Sequence, residues 1–453
     1  MATNQRDGFS SKLGVLAATL GSAVGLGNIW KFPYMTGENG GASFLLLYII
    51  ATLVVGLPIM IAEIMMGRRA RSNAVGTFRK LAPGTPWWLV GLSGCIAAFV
   101  ILSFYTNVVG WVFFYIVKSV TGVLNATDPK TGEAVFGAMV SAPWSSLMWQ
   151  WGVLVLISYI IIGGVSKGIE KTTKTLLPIL FVMLLLVCAR SLTLPKAAEG
   201  LAFLFNPDFS KITGNVVLMA MGLAFFKLSI GMGTMMTYGS YFRADANIPV
   251  TTTRVMLADL MVSMLAGIAI FPAVFNFGFE PAAGPGLLFM TIPAVFSAMP
   301  AGQLFMVAFF VLTGIATIGA MLSLMEVPVA FLTEALGWSR KTATVLTALL
   351  LAVTGAPATL SFSTMADVTV FGMNFFDFYD YLSSNILLPA GGLLICVFIG
   401  WVWGRKNMQD ELSNSGELHN TSVVSVVFRL VRWVTPVLVL LVMLNGLGVI
   451  KLG

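Results

Sequence analysis

The chain has 453 residues, of which 57% are hydrophobic and only 10% charged, against about 25% charged in a soluble domain. With a mean hydropathy of +0.91, it has too little polar surface to face water, so lipid must be its main solvent and its backbone must be satisfied inside helices or a closed barrel. The net charge of +7 does not point to nucleic acid, because the basic residues are scattered through short loops rather than gathered on one face.

The first dozen residues are polar and lack the basic-then-apolar pattern of a secretory signal, which places the amino terminus in the cytoplasm. Apolar windows long enough to cross the hydrocarbon follow near 12–36, 42–67, 87–117, 143–164, 175–194, 214–241, 255–279, 303–333, 342–358, 375–403 and 424–448. They are continuous rather than alternating, which favours helices over a barrel. The expected fold is an all-α membrane protein with about eleven transmembrane helices.

Arg68, Arg69, Arg71, Arg79 and Lys80 follow the second span, Lys167, Lys171 and Lys174 the fourth, and Arg243 and Arg254 the sixth. Arg340 with Lys341 and Arg405 with Lys406 continue the series. By the positive-inside rule these loops are cytoplasmic, giving a multi-pass protein of the cytoplasmic membrane with its carboxy terminus outside. Cys95, Cys188 and Cys396 lie singly in apolar segments, without metal-ligand spacing. They read as small hydrophobes, and neither a metal nor a cofactor is expected, with sodium left open.

Two spans carry dense glycine near their middle, Gly21-Ser-Ala-Val-Gly25-Leu-Gly27-Asn28 in the first and Ser229-Ile-Gly231-Met-Gly233 in the sixth. Glycine in a helix interior costs about 1 kcal/mol relative to Ala, and a break at membrane depth is tolerated where the freed backbone lines a cavity or meets a ligand. Close helix packing is the other use of such glycines. Breaks at matching places in two five-span halves point to inverted repeats sharing one site, with 1–194 as the first repeat, 195–403 as the second, and 404–453 as a cytoplasmic loop and eleventh span.

The run from Gly21 through Asn28 to Pro33-Tyr34, followed by Glu38-Asn-Gly-Gly-Ala, resembles the first-helix signature of the neurotransmitter:sodium symporter family, in particular its bacterial amino-acid transporters. Ser166-Lys-Gly-Ile-Glu170, Asn206-Pro-Asp-Phe209, Ala224-Phe-Phe226, Ser240-Tyr241 and Phe376-Asp377 agree with it. The resemblance implies a ten-helix core of two inverted repeats that moves an amino acid across the bilayer by alternating access, usually driven by sodium.

Carried residue by residue, it implies a substrate carboxylate held by the amides around Gly25 and Gly27 and by the Tyr105 hydroxyl. The substrate amine would meet carbonyls near Ala23 and Phe226, with Ser229 adding a hydroxyl. Ile101, Phe226, Met232, Met321 and Leu324 would form an apolar pocket suited to a hydrophobic side chain. Arg6, Glu334, Ser240 and Tyr241 match the cytoplasmic gate, and Phe9 stands where Trp is usual. Lys31 replaces the usual Arg of the outer gate, with Asp380 or Asp377 as partner. Gly168 and Pro178 form a pattern that allows the fifth helix to unwind locally or simply to kink.

The chain departs from this pattern at both ion sites. At the first, Asn28 is kept, but Lys227 stands where a hydroxyl should be and Asp259 occupies the seventh-span position. An ammonium paired with Asp259 would fill the site by charge and volume. At the second, the carbonyls of Gly21, Val24 and Ala316 are expected, but the two hydroxyl residues have become Gly319 and Ala320. The expectation is a secondary transporter of a hydrophobic amino acid with weak or absent sodium coupling, in which the Lys227–Asp259 pair either exchanges a proton during the cycle or stands as a permanent salt bridge. A conventional sodium symporter and a non-transporting amino-acid sensor are the alternatives. An enzyme is not expected, since no HExxH or GxSxG motif occurs and His419 is the single histidine.

Overall fold

A computed structural model describes residues 8–280 and 284–450, and over these the chain is almost wholly helical. The expected gate residue Arg6 lies outside the described residues. Nine helices are long and apolar enough to cross a membrane among the described residues. They are α2 (Ala42–Ala70), α3 (Trp88–Val120), α4 (Pro143–Ile162), α5 (Val165–Leu192), α7 (Ile248–Asn276), α8 (Gly302–Leu336), α9 (Arg340–Leu360), α10 (Phe375–Leu412) and α11 (Thr421–Gly446). The first span is a pair, α1a (Lys12–Ala23) and α1b (Gly27–Glu38), bent by 49°. The sixth joins α6a (Gly214–Lys227) to a short α6b (Thr234–Gly239). Counting both broken spans gives the eleven expected from hydropathy.

The breaks have local causes. α1a ends because Val24 turns extended, with φ −82° and ψ 107°. After α6a the backbone passes through left-handed conformations at Ser229 (φ 53°), Gly231 (φ 78°) and Gly233 (φ 75°). Glycine suits two of these positions because it carries no Cβ penalty there, and at Gly231 a Cβ would also collide with the Leu388 carbonyl. The freed amide of Gly231 donates to the buried Glu63 carboxylate at 2.6 Å. A break at this depth therefore leaves that donor satisfied, as low-dielectric surroundings require.

α1a lies against α5, α7 and α8, while α2 packs on both α6a and α6b. α3 packs along α8 and with α4 and α9, making a scaffold beside the broken pair.

Some helices begin or end outside their apolar windows. α5 starts at Val165, ten residues before the expected 175, with a π-turn over Val165–Glu170 and an unbroken helix Lys171–Leu192 through Pro178. The expected unwinding at Gly168 is thus not the conformation seen: Gly168 is packed so closely on the Ile160 carbonyl that a Cβ would collide with it. Residues 404–412, expected as loop, continue as helix, because Glu411 is held by Arg68 through an ion pair of 2.5 Å and its own carbonyl.

Candidate functional site

Both breaks open on one small cavity of about 30 Å³, lined by Ser22, Ala23, Gly25, Leu26, Gly27, Ile101, Tyr105, Phe226, Lys227, Ser229, Met232, Ala320 and Leu324. That is room for about two water molecules, so an amino acid must part its walls. Nine of the ten residues expected around a substrate lie here; Met321 does not, being fully buried elsewhere on α8. Its neighbour Ala320, expected at the second ion site, faces the cavity instead. Successive helical residues point about 100° apart, so a rotation of one position on α8 brings Ala320 rather than Met321 to the cavity. Gly25 is close to the wall: a Cβ there would lie 3.1 Å from Ala320 Cβ and 3.5 Å from the Tyr105 hydroxyl. The Leu26 amide donates to that hydroxyl at 3.4 Å, and Ser229 donates to the Ser22 carbonyl at 2.9 Å, tying the two breaks together.

Behind the cavity lies the ammonium of Lys227, fully buried, 3.2 Å from Asp259 Oδ2. It also donates to the Tyr48 hydroxyl at 2.7 Å and to the Ser263 hydroxyl, so its three protons are all engaged. Asp259 in turn accepts from Asn28 Nδ2 at 2.7 Å and from Tyr48 at 3.2 Å. Asn28 Oδ1 accepts the Gly25 amide at 3.1 Å. One polar node therefore joins α1, α2, α6a and α7 at the first break. An unpaired charge at this depth is costly, and each member here is paired and hydrogen-bonded. The Tyr48 and Ser263 hydroxyls thus both serve the lysine.

Gly21, Val24, Ala316 and Gly319, the residues expected at the second ion site, line a space of only about 10 Å³, with Thr172 and Thr173 of α5 opposite. A Cβ on Gly21 would lie 3.0 Å from Thr173 Cγ2, and the Thr173 hydroxyl donates back to the Ile169 carbonyl at 2.9 Å. Thr173 thus turns its methyl towards Gly21, and its hydroxyl is spent on its own helix rather than offered to this space.

On one side of the cavity a vestibule of about 340 Å³ is walled by aromatic side chains including Trp30, Trp111 and Phe376, with Lys31, Asp377 and Asp380 at its polar side. The expected Lys31–Asp380 ion pair is not formed: Lys31 Nζ sits 4.2 Å above the Phe226 ring, and Asp380 accepts from Ser384 at 2.8 Å. A single ammonium on a flexible stem lacks the planar fork that would fix it to a carboxylate, and the ring face offers it a cation–π site.

The opposite face, where the cytoplasmic gate was expected, is closed. Phe9 is buried edge-on against Tyr238 and Tyr241, with ring centroids 5.7 and 5.9 Å away. Tyr241 donates to Glu326 at 2.7 Å, and Arg340 grips the same carboxylate at 3.0 and 2.5 Å. Ser240 donates to the Thr237 carbonyl at 2.5 Å, and Glu334 accepts from the Asn73 amide at 2.8 Å. Sequence reasoning missed the Arg340–Glu326 pair, although Arg340 stands in the basic loop after α8. Nearby, Asp245 is held below the ordinary carboxylate range by a hydrogen bond from Arg243, with Lys12 adding to it.

Comparison with known proteins covers nearly the whole chain. The profile of the Sodium:neurotransmitter symporter family matches residues 6–131 and 142–451. The chain is 39% identical to an uncharacterized sodium-dependent transporter, YhdH, of Bacillus subtilis, over 98% of both chains. It is 36% identical to an uncharacterized sodium-dependent transporter of Haemophilus influenzae, over 99% of this chain and 100% of that one. Its fold superposes on the crystal structure of MhsT in complex with L-phenylalanine with a TM-score of 0.90 at 42% identity, covering 98% of this chain and 100% of that one. The likeness extends the inverted-repeat, all-α architecture with its broken first helix to the full length.

Proposed function

The chain belongs to the sodium:neurotransmitter symporter family, and on that premise we propose that it carries a hydrophobic amino acid through the cytoplasmic membrane by alternating access, with Lys227 in the place of the first sodium ion. Residues 1–194 and 195–403 are the two repeats in this reading, the amino terminus is inside, and the carboxylate of the substrate docks at the amides and hydroxyl around Gly25, Gly27 and Tyr105. The apolar walls at Ile101, Met232 and Leu324 support a hydrophobic side chain, as does the L-phenylalanine held by MhsT.

One observation carries the ion reading: a buried ammonium, already neutralised by Asp259 at 3.2 Å, stands where the family places its first sodium. Because all three of its protons are engaged, the lysine holds the helix breaks in place without an external ion. The narrow, methyl-lined space at Gly21 and Gly319 supports the same conclusion for the second ion. The names of the two bacterial relatives, both sodium-dependent transporters, favour the conventional reading instead.

Uptake of labelled phenylalanine and leucine into proteoliposomes, under a sodium gradient, a proton gradient or neither, decides between them. The expected result is uptake indifferent to sodium, with acceleration by a proton gradient if the Lys227–Asp259 pair exchanges its proton during the cycle. Strong sodium dependence would overturn the ion reading while leaving the transporter intact. Binding without flux would point to a sensor.

A further inference from the structure

α10 and α11 cross where two π-turns meet, Phe398–Trp403 and Leu430–Val434. A Cβ on Gly400 would lie 3.2 Å from Arg432 Cα, so the glycine admits the arginine-bearing turn. The Arg432 guanidinium is surrounded by the rings of Trp433, Trp401 and Phe428, at 5.0, 5.6 and 5.8 Å from their centroids. Its Nε is buried and has no hydrogen-bond partner among the described residues. Trp401 and Trp433 meet edge-on at 5.6 Å, and both are exposed on the outer surface of the bundle, by 46% and 60%.

Depth makes this arrangement unusual. α11 ends at Gly446, about 21 Å beyond Arg432 at 1.5 Å per residue. In a hydrocarbon layer about 30 Å thick, that places the Arg432 backbone roughly 9 Å inside the opposite boundary. A cation at such depth is rare unless it is paired or reaches the headgroups along its stem. The neighbouring side chains supply no counter-charge among the described residues. Arg429, one turn nearer that boundary, and Arg405 and Lys406 at the end of the α10 span are exposed, and Arg405 donates to Ser425 at 2.7 Å across the cleft. The acidic residues that follow on α10, Asp410 and Glu411, are taken by Arg69 and Arg68.

We propose that the cleft between α10 and α11 binds the phosphate of an anionic phospholipid, with Arg432 and Arg429 on the headgroup and Trp401 and Trp433 against the glycerol and the first acyl carbons. Tryptophan favours that depth, and basic residues there attract anionic lipid. The leaflet is the cytoplasmic one, which rests on the proposed orientation; the site itself does not.

The test uses the full chain in nanodiscs of phosphatidylcholine containing brominated phosphatidylglycerol, or in a matched set with brominated phosphatidylcholine, and reads tryptophan quenching. The expected result is stronger quenching by the brominated anionic lipid, an excess that disappears in Trp401→Phe/Trp433→Phe. Arg432→Gln should weaken the apparent affinity for it about fivefold, whereas Arg432→Lys retains most of it. Equal quenching by the two brominated lipids in the unmodified protein would overturn the proposal without any variant having to fold. So would an excess unchanged in Arg432→Gln, or one abolished by millimolar inorganic phosphate, which would mark a free-anion site. None of these readings depends on transport or on sodium.

Discussion

At the scale of single residues, Lys227 concentrates the physics of this chain. Removing one partner of a buried ion pair costs about 3–5 kcal/mol, because the other charge is left uncompensated. Lys227→Thr should therefore lower the melting temperature sharply in sodium-free buffer, leaving Asp259 with only Asn28 and Tyr48 as donors. The same change restores a hydroxyl and frees volume, so sodium, but not potassium, should raise the melting temperature again. Saturation to a hundred times the dissociation constant returns about 2.7 kcal/mol. Asp259→Asn, which leaves the ammonium in place, should be destabilised without any sodium recovery. Recovery in both variants, or in neither, would remove the stand-in role. Lys227 stands out in the sequence because it breaks the pattern of the family that the chain resembles. What solvates that cation does not: Tyr48 and Ser263 lie 179 and 36 residues away from it, and only the packing of α2 and α7 on α6a brings their hydroxyls together.

At the scale of elements, glycine runs mark both broken helices, because such density weakens the interior of an apolar span and suits a break or a close approach of backbones. Helix rotation is harder to foresee. Ala320 takes the cavity wall where the resemblance placed Met321, because a motif match does not fix the rotation of α8, on which successive residues point about 100° apart. The polar start of α5 escapes the apolar window, as its first turns are held by specific contacts rather than by lipid. Glu170 there accepts the Ser10 amide at 2.6 Å and the Ser10 and Ser11 hydroxyls at 2.8 Å each. This carboxylate caps the amino end of α1a, where the helix dipole favours negative charge, and a Cβ on Gly14 would collide with it. Gly14→Ala should therefore drive the Glu170 carboxylate off its Ser10 and Ser11 donors and loosen the tie of α1a to α5. The expected outcome is faster hydrogen exchange at the α1a amides with α3 and α8 unchanged, and protection equal to that of the unmodified protein would show that the contact does not hold α1a.

At the scale of the molecule, the two faces differ: a vestibule of about 340 Å³ lies on one side of the central cavity, and packed aromatics and a gripped carboxylate lie on the other. Alternating access requires the closed side to open, so its ties should set the balance between the two states. The Arg340–Glu326–Tyr241 chain joins α8, the start of α9 and the end of the sixth span, and a bidentate guanidinium on a buried carboxylate is its strongest contact. Arg340→Ala leaves Glu326 fully buried with Tyr241 as its remaining partner in that chain, which favours any conformation in which water reaches the carboxylate. The population should then shift towards the inward-open state, lowering uptake while raising access from the cytoplasm. A cysteine placed at Ser22 reports this directly, because the three native cysteines are all buried and contribute little background. A membrane-impermeant thiol reagent applied to the cytoplasmic face should label Ser22→Cys faster in the Arg340→Ala background, by about tenfold for each 1.4 kcal/mol of shift when the open state is the minor one. Substrate that closes the central site should slow that labelling in both backgrounds. Equal rates with and without Arg340 would place the closure elsewhere, in the Phe9 aromatic cluster or the Glu170 cap.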